Sequence, residues 1–306
     1  MENLNFTYKR LSEESLKDLQ YLFLNVFNKK KTIHYLKNKY NTSYLGIKNI
    51  CFLAYHNNKP VAFYGAIPQK FTSSSSTIFA AHACDSFTLK EYQNKGLHYN
   101  LALKSYELMR AEGIKMVYAY HSENTYHSTK KLDWLEHKKM QRFHFKTVAF
   151  PIAKIAKKTY FNSLYQKICE NYLRRFESLN PRADYSNKFK QNYNRDFIVY
   201  KNSFNHHFFI ELHDCNFWIK IDSILHVGHF SSKSDQNFKL ALKKLKKIAA
   251  FLGINEILFQ VVIDSREYEI LSKIKTTKPS WLIGYLPLEP INIEDFEFNY
   301  ADLDTF

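Results

Sequence analysis

Strand-like and helix-like spacings of apolar residues alternate along the first 150 residues of the chain. Two apolar runs on either side of the polar turn 56–59 predict a β-hairpin, and the apolar stretch 77–89 predicts a long strand. A helix over 97–112 follows, and Gly113 ends it, because glycine readily adopts the left-handed conformation that closes a helix. The other elements predicted here are a strand at 3–10, a helix with Ser12 as its N-cap, a helix at 33–40, a strand at 116–122, a short helix at 123–132 and a strand at 139–150.

A second series of elements follows residue 190. The elements predicted there are strands at 196–202, 206–214, 216–230 and 254–262, a helix at 235–252 and a short helix at 265–274. The helix ends at Gly253, as the earlier one ends at Gly113. The order strand, helix ending in Gly-Ile, strand, short helix therefore occurs at 77–132 and again at 217–274. This repeat predicts two similar domains.

The segment that joins the two series, 151–179, is helical in pattern and basic. Two interpretations are open: a helix that links domains, or an amphipathic helix that lies on a membrane surface. We favour the linking helix, because its apolar side chains suit packing against a domain. These side chains are Ile155, Phe161, Leu164, Ile168, Tyr172 and Phe176.

Composition adds a sizeable core and a basic surface to this picture. Hydrophobic residues make up 45% of the 306 residues and aromatic residues 17%, which excludes wholesale disorder. The formal net charge of +15 attracts anions of many kinds, so it selects no ligand by itself. The lysines of helix 235–252 are interpreted as a solvated face, because no nucleic-acid-binding motif accompanies them.

The cysteines and the N-terminal segment bear on redox state and location. The four cysteines, Cys51, Cys84, Cys169 and Cys215, are widely separated and form no CxxC pair. Free thiols are therefore expected, with no disulfide framework and no metal site. The N-terminal residues have no apolar signal core, and no stretch approaches the roughly 18–20 apolar residues of a membrane span. A soluble, cytoplasmic protein is the prediction.

A strand-to-helix junction lies at Gln93 to His98, around one of only 7 glycines. The first amide groups of a helix have no intrahelical partners, so they and the helix dipole favour an anion such as a pyrophosphate. Gly96 would let the backbone approach such a ligand closely, and Lys95 would add a positive charge. An ordinary turn that uses glycine fits the spacing equally well, so both interpretations stay open from spacing alone.

The junction resembles a known motif. YQNKGLHYNLA, residues 92–102, is similar to the coenzyme A pyrophosphate loop of the GNAT acetyltransferase superfamily, Gln/Arg-x-x-Gly-x-Gly/Ala. His98 stands where that loop has Gly or Ala. The residues that match its first four positions are Gln93, Asn94, Lys95 and Gly96.

A second motif resembles the same superfamily. ENTYHSTKKLDW, residues 123–134, is similar to its later Asn…Lys-Leu-Gly-Phe/Trp segment, with Asp133 in place of the glycine. The resemblance covers about residues 3–146, and the second half resembles a degenerate repeat. It implies an α+β protein of two GNAT-like mixed β-sheet domains with flanking helices. The implied division is a coenzyme-binding domain at 1–148, a helical linker at 149–192 and a degenerate GNAT-like domain at 193–306.

The resemblance also implies acetyl-coenzyme A, or another acyl-coenzyme A, as cosubstrate and no metal. Phe87 and Thr88, at the end of the long strand, would offer backbone groups to the pantetheine arm and the thioester carbonyl. Asn124 resembles the residue at the start of the later helix that contacts the coenzyme, although it is also a plausible N-cap. The pyrophosphate would lie over Gln93, Asn94, Lys95, Gly96, Leu97 and His98.

Acyl transfer to an amine needs a base, donors for the carbonyl oxygen, and an acid or water for the departing thiolate. Asp85 is the candidate base, since a carboxylate within the apolar strand 77–89 is buried or lines a cleft; the alternative is a carboxylate held by its neighbours in the sheet. Tyr126 is the phenol nearest to the position of the family's acid. His121 is either a catalytic group or a structural residue of its strand.

Three functions are compatible with these features. The leading hypothesis is an N-acyltransferase that moves an acyl group from coenzyme A to a small-molecule amine or an amino sugar. The alternatives are a Fem-type aminoacyl transferase that uses aminoacyl-tRNA, or a catalytically degenerate GNAT-fold binding module. Nucleic acid is a partner only under the second hypothesis. We further expect the acceptor pocket to draw residues from both halves of the chain.

Overall fold

The computed structural model describes residues 4–178 and 187–306, apart from the side chains of residues 123–125. Contacts divide the described chain into two compact units. The first unit comprises residues 4–137, 187–204 and 283–297, and the second comprises residues 138–178, 205–282 and 298–306. The sequence predicted three contiguous segments with boundaries at residues 148 and 192. Each compact unit instead contains segments from before and after these boundaries, so the predicted division stays a prediction.

The elements are numbered in chain order. The strands are β1 (Thr7–Arg10), β2 (Ile50–His56), β3 (Lys59–Thr72), β4 (Thr77–Thr88), β5 (Ile114–His121), β6 (Leu135–Lys146), β7 (Phe189–Gln191), β8 (Phe208–Leu212), β9 (Cys215–Ile221), β10 (Leu225–Ser232), β11 (Glu256–Val262), β12 (Lys278–Pro287) and β13 (Phe296–Glu297). The helices are α1 (Leu16–Phe27), α2 (Ile33–Tyr40), α3 (Leu97–Ala111), α4 (Glu123–Lys130), α5 (Ile152–Ala156), α6 (Asn162–Leu173), α7 (Arg195–Asn202), α8 (Asp235–Phe251) and α9 (Arg266–Ser272).

In the first unit the strands follow the order β1-β2-β3-β4-β5. The pairs are antiparallel except for β4 and β5, which are parallel and joined by α3. The predicted hairpin is confirmed: Asn57 and Asn58 form its turn with φ of 48° and 61°, the left-handed values that a two-residue turn requires. Helix α3 packs on β2 and β3, so the sheet fixes where the helix begins.

In the second unit the strands follow the order β6-β11-β10-β9-β8. Here β10 and β11 are the parallel pair, joined by α8, and the other pairs are antiparallel. Helix α8 buries Phe238, Leu242 and Leu245, as its spacing predicts. The same strand–helix–strand arrangement thus occurs in both units, which confirms the predicted repeat and the α+β class with mixed sheets.

The first helix begins later than predicted. The Ser15 hydroxyl accepts a hydrogen bond from the Ser12 amide at 2.9 Å and donates one to the Ser12 carbonyl at 3.0 Å. These bonds close a local turn, which is a common use of serine before a helix. Helix α1 therefore begins at Leu16, and Ser12 is not its N-cap.

The strand predicted at 196–202 is wrong, because this segment is helix α7. The Asn194 side chain accepts a hydrogen bond from the Phe197 amide at 2.9 Å and so caps the helix. Phe197, Tyr200 and Lys201 are buried, at helical spacing. Local capping and this spacing override the β-branched residues that favoured a strand.

The single long strand predicted at 216–230 is also wrong. It folds back on itself as β9 and β10, with a turn closed by a hydrogen bond from the Asp222 amide to the Ile224 carbonyl at 3.0 Å. The two strands pair antiparallel, with Ile221 opposite Leu225. The turn falls at the adjacent polar residues Asp222 and Ser223, but the same pair occurs inside β4 as Asp85 and Ser86, so the pair alone does not distinguish a turn from a strand.

The predicted linking helix is two helices, α5 and α6, and its packing differs from the expectation. Tyr165, Cys169 and Leu173 of α6 lie in the core of the second unit. Tyr172 and Phe176 are partly buried against the same core. The remaining residues expected to pack there are exposed instead: Ile155, Phe161, Leu164 and Ile168.

None of the helices in the described part of the chain combines the length and the apolar character that a bilayer span needs. The cytoplasmic location stays a prediction.

Candidate active site

Strands β4 and β5 diverge in the first unit and leave an open fork between them. Their parallel pairing ends at His82 opposite Tyr118, although β4 continues to Thr88 and β5 to His121. The pairing of β4 with β3 shifts at the same point, so that Cys84 and Asp85 face a single residue of β3. Such a β-bulge bends a strand and re-aims its side chains, and bulges are common beside active sites. Among the described residues, β4 makes no ladder pairs with β5 beyond His82, so this edge of β4 can present backbone groups to an extended ligand.

Helix α3 begins beside this fork with an uncapped N-terminus. Gly96 is its N-cap, with φ of 74°, and the part of the chain described here supplies no side-chain cap. The first intrahelical bond runs from the Asn100 amide to the Gly96 carbonyl, so the amides of residues 97–99 precede it. The corresponding helix α8 differs, because the Ser234 side chain accepts from the Asn237 amide and Asp235 adds a negative charge. Only the first of these two helix starts suits an anion.

His98 fits the junction although it replaces the family's small residue. Its Nδ1 lies 2.7 Å from the Ser86 hydroxyl, and its ring lies 5.8 Å from that of Tyr64. The side chain thus turns towards β3 and β4 and away from the exposed loop. Burial lowers the pKa of His98, so the ring is neutral at physiological pH. Its Nε2 is buried and makes no hydrogen bond to any described residue.

The other predicted coenzyme residues divide into exposed and buried ones. Gln93, Asn94 and Lys95 are exposed, as a phosphate-binding loop requires. The side chains of Leu97 and Phe87 are buried, so these residues could meet a ligand only through their backbones. Thr88 is half-buried, and its backbone carbonyl accepts a hydrogen bond from the side-chain amide of Gln93 at 3.4 Å. The side chain of Asn124 lies outside the described residues.

Asp85 is held by residues that the sequence analysis did not identify. One of its oxygens accepts from both the Lys39 ammonium and the Tyr40 hydroxyl, at the end of α2. The Lys39 side chain is only 3% exposed and that of Asp85 21%. Burial and the Asp85 carboxylate raise the pKa of Tyr40, so its hydroxyl stays protonated and donates. Lys39 and Tyr40 end a predicted helix, but nothing in the sequence indicates a contact 45 residues away.

His121 lies at the end of β5, close to Tyr126. The two ring centroids are 6.2 Å apart, and the His121 ring also packs edge-on against Trp134 at 5.2 Å. The ring fills the space that a Cβ at position 284 would need, so glycine is required there. Tyr126 donates a hydrogen bond to the Glu136 carboxylate. The structure therefore brings His121 and Tyr126 together, whereas Asp85 contacts α2.

The bulge of the second unit is filled by the protein itself. The register between β9 and β10 shifts at Gly228, and a Cβ there would lie 2.3 Å from the Phe306 ring. Phe306 is fully buried and stacks on His207 with ring centroids 5.0 Å apart. Together with the Ser234 cap, this packing gives a physical reason for treating the second repeat as degenerate.

A pocket of about 280 Å³ lies between α2 and α7 in the first unit. The rings of Tyr44 and Tyr200 stack at its wall with centroids 5.0 Å apart. The Tyr44 hydroxyl is buried and has no hydrogen-bond partner among the described residues. The Tyr200 hydroxyl donates to the Lys39 carbonyl at 2.5 Å, so the pocket adjoins the helix end that holds Asp85. Its lining is Asn38, Asn41, Ser43, Tyr44, Arg195, Asp196, Val199, Tyr200 and Ser203.

Stability is expected to fall as the pH is lowered from about 6.5 to about 4. Burial, with His82 nearby, lowers the pKa of His121 to about 4, and burial also lowers the pKa of His226 to about 4. The unfolded chain, with ordinary histidine pKa values, takes up these protons first. Each histidine therefore costs on the order of 3 kcal/mol of stability across this interval.

Urea unfolding at several pH values measures this effect. His121→Asn, which cannot ionise, is expected to remove about half of the fall, whereas His206→Asn, at an exposed histidine, serves as the control. A His121→Asn variant with the wild-type pH dependence would contradict the assignment.

Comparison with known proteins places this geometry in a fold family. No protein-family profile matches the sequence, and no curated protein matches it. Among solved structures, a GCN5-related N-acetyltransferase from Kribbella flavida is similar, with 10% identity, a TM-score of 0.61, and coverage of 92% of this chain and 71% of that one. A tandem GNAT protein from the clavulanic acid biosynthesis pathway has 8% identity and a TM-score of 0.54, with coverage of 94% and 100%.

A third similar structure is an N-myristoyltransferase from Saccharomyces cerevisiae with bound myristoyl-CoA. It has 12% identity and a TM-score of 0.52, and the match covers 93% of this chain and 85% of that one. At these identities the likeness establishes the fold. The chain has the fold of the GCN5-related N-acetyltransferases.

Proposed function

We propose that this protein is an N-acyltransferase that uses acyl-coenzyme A and acts on the amine of a small molecule or an amino sugar. The observation that carries the proposal is the uncapped, glycine-initiated N-terminus of α3 beside the β4–β5 fork. The N-terminus of α8 is the corresponding position in the second unit, but there Ser234 caps the helix and Asp235 adds a negative charge, so it does not suit an anion. The fold and the myristoyl-CoA bound to one similar structure support the same cosubstrate.

The residues at the fork have distinct roles in this proposal. The amides of residues 97–99 and the Lys95 ammonium hold the pyrophosphate, since the helix dipole and the positive charge both favour an anion. The free edge of β4, at Phe87 and Thr88, aligns the pantetheine arm by backbone hydrogen bonds. The bound coenzyme supplies the activated acyl group as a thioester.

Proton transfer is assigned to the pair at the end of β5. His121 is neutral at physiological pH because burial lowers its pKa to about 4, so a nitrogen lone pair is available to the attacking amine. A pKa near 4 makes the ring a weak base, so it takes the proton that the amine loses on attack and releases it to water. Tyr126, once released from Glu136, donates a proton towards the departing thiolate. Asp85 stays a candidate base. Its ion pair with Lys39 gives it a second role, which is to fix the β-bulge of β4 against helix α2.

The acceptor is proposed to bind in the pocket between α2 and α7. Arg195 and Asp196 place a cation and an anion side by side there, and the stacked tyrosines form an apolar wall. Such a lining suits a small molecule that carries both an amine and polar or acidic groups. Helix α2 connects this pocket to the bulge, because Asn38 and Asn41 line the pocket while Lys39 and Tyr40 contact Asp85.

A screen of amines tests the proposed function. With acetyl-coenzyme A and a panel of amino acids, amino sugars and polyamines, we expect amine-dependent release of the free thiol. Arg195→Ala is expected to raise the KM of the accepted amine about tenfold, as loss of a charged hydrogen bond does, and to leave the KM of acetyl-coenzyme A unchanged.

Other outcomes of this screen point to the alternatives. Transfer to no amine, by a folded protein that still binds coenzyme A, would support the binding module. A steeply salt-dependent affinity for tRNA would support the Fem-type aminoacyl transferase, which the similar structures do not favour.

A further inference from the structure

The segment 148–176 of the second unit has two apolar faces, and only one of them is covered. Tyr165, Cys169 and Leu173 form the inner face of α6, and the Tyr165 hydroxyl donates to the Leu252 carbonyl at 2.9 Å. This contact anchors α6 on the core and fixes its rotation. Apolar residues on its other side therefore point away from the protein interior.

The outer face is a continuous stripe along α6. Phe161, Leu164 and Ile168 occupy positions i, i+3 and i+7, which lie on one side of a helix, and they are 70%, 56% and 52% exposed. Phe150, just before α5, and Ile155, on α5, are 71% and 48% exposed. Soluble proteins seldom expose so many large apolar side chains in one segment unless the segment binds something. We call these five residues, together with the fully exposed Tyr160, the outer apolar face.

Basic residues outnumber acidic ones in this segment. Lys154 lies on α5, Lys157 and Lys158 follow that helix, Lys167 lies on α6, and Arg174 and Arg175 follow α6, whereas Glu170 is the one acidic residue between positions 147 and 176. Lys154, Lys157 and Arg174 form ion pairs with Glu256, Asp222 and Glu170. Lys158, Lys167 and Arg175 form no ion pair with any described residue, so their charges are available to an anionic partner. Lysine side chains can lay their methylene groups along an apolar surface and still extend their ammonium groups to phosphates. The combination of apolar and basic side chains is typical of helices that lie in a bilayer interface.

The charge also decides between two occupants of this face. A symmetric contact with a second copy would bring the same patch to both sides of the interface, so Lys158, Lys167 and Arg175 of one copy would meet the same three charges of the other. An anionic lipid surface instead attracts these side chains, and its acyl region accepts the apolar ones. A 12-residue helix such as α6 is too short to cross a bilayer, so it would lie in the plane of the interface.

We propose that the outer apolar face and its lysines bind the surface of an anionic phospholipid bilayer. This proposal is independent of the proposed acyl transfer, because it rests on the second unit alone. The sequence left open whether the segment 151–179 links domains or lies on a membrane surface. Because four of the apolar residues expected to pack against a domain are exposed, the structure favours the membrane-surface interpretation.

Co-sedimentation of the full chain with vesicles tests the proposal. We expect binding to vesicles of equal parts phosphatidylglycerol and phosphatidylcholine, and little binding to vesicles of phosphatidylcholine alone. The triple variant Phe161→Ser, Leu164→Ser, Ile168→Ser is expected to bind the anionic vesicles on the order of 100-fold more weakly, since three large apolar side chains no longer leave water. Because these side chains are exposed, the thermal unfolding curve should change little.

A second triple variant provides the matched control. Leu24→Ser, Leu103→Ser and Leu240→Ser also replace apolar residues that are 43%, 39% and 46% exposed, but they lie on α1, α3 and α8. This variant should bind vesicles as the wild type does. Lys158→Glu with Lys167→Glu should weaken binding to anionic vesicles at least tenfold, and raised salt should do the same.

Several results would overturn the proposal. One is a wild-type chain that does not sediment with the anionic vesicles; another is a Phe161, Leu164, Ile168 variant that binds as tightly as the wild type. Equal binding to both vesicle types would remove the role of the lysines. A wild-type dimer in sedimentation velocity that this variant converts to a monomer would assign the face to a second copy.

Discussion

Replacing Gly96 with alanine is expected to weaken coenzyme A binding roughly 10–100-fold, the loss that follows when one or two hydrogen bonds to a charged group are removed. The backbone at Gly96 has φ of +74°, and a Cβ placed there meets no heavy atom within 4 Å. The added methyl group would therefore occupy open space at the start of α3, where the pyrophosphate is proposed to lie. Isothermal titration calorimetry with coenzyme A measures the change, and Gly96→Val should have a larger effect.

Gly113, which follows the other end of α3, offers a matched control. Its φ is +72°, and a Cβ there also has nothing within 4 Å. Alanine costs about 1–2 kcal/mol of backbone strain at either position, so both variants should lose similar stability. Only Gly96→Ala should lose coenzyme affinity. Unchanged affinity in Gly96→Ala would remove the proposed site, and an equal loss in both variants would attribute the effect to destabilisation.

Replacing Asp85 with alanine is expected to lower the free energy of unfolding by about 3–5 kcal/mol. The carboxylate accepts hydrogen bonds from the Lys39 ammonium and the Tyr40 hydroxyl, in a place where Lys39 is almost fully buried. Interactions of this kind are strong because little water screens them. Urea unfolding of the wild type and the variant measures the difference.

The exposed ion pair between Glu13 and Lys37 serves as the control on the same helix, α2. Glu13→Ala should change stability by less than about 1 kcal/mol, since water screens an exposed pair. A similarly small loss in Asp85→Ala would contradict the structural importance of the buried pair.

Asp85→Asn separates the two roles considered for this residue. Asparagine keeps the shape of the side chain and an oxygen that can accept from Tyr40, but it cannot take up a proton from the amine. If Asp85 is the base, kcat should fall far more than the folded fraction does. If transfer falls only in proportion to folding, Asp85 acts by holding the bulge of β4.

The sequence alone predicted the elements whose signals are local. Helix α3, its start at Gly96 and its end at Gly113 follow from spacing and from glycine's tolerance of positive φ. The hairpin of β2 and β3 and the repeat of strand, helix and strand follow from periodicity in the same way. The resemblance of 92–102 and 123–134 to GNAT motifs then indicated the fold that the comparisons establish.

Two errors show where local signals are insufficient. Residues 196–202 contain β-branched and aromatic side chains that favour a strand, yet capping by Asn194 and burial at helical spacing make them α7. In the run 216–230 the turn falls at Asp222-Ser223, and the same dipeptide lies inside β4 as Asp85-Ser86, so it did not identify the point where β9 ends. Burial against neighbouring elements decided both cases, and burial is not visible in a window of a few residues.

The candidate site likewise has a part that is local in sequence and a part that is formed by distant residues. The proposed phosphate loop is one continuous stretch, so the sequence alone could predict which residues would carry it. The partners of Asp85 and the lining of the pocket between α2 and α7 come from positions tens of residues apart, and only the tertiary structure brought them together. The exposure of Phe161, Leu164 and Ile168 was likewise decided by the fold, because α6 has apolar residues over half its circumference and the core covers only one side. A hydrophobic pattern determines that a face must avoid water, whereas the three-dimensional packing determines what covers it.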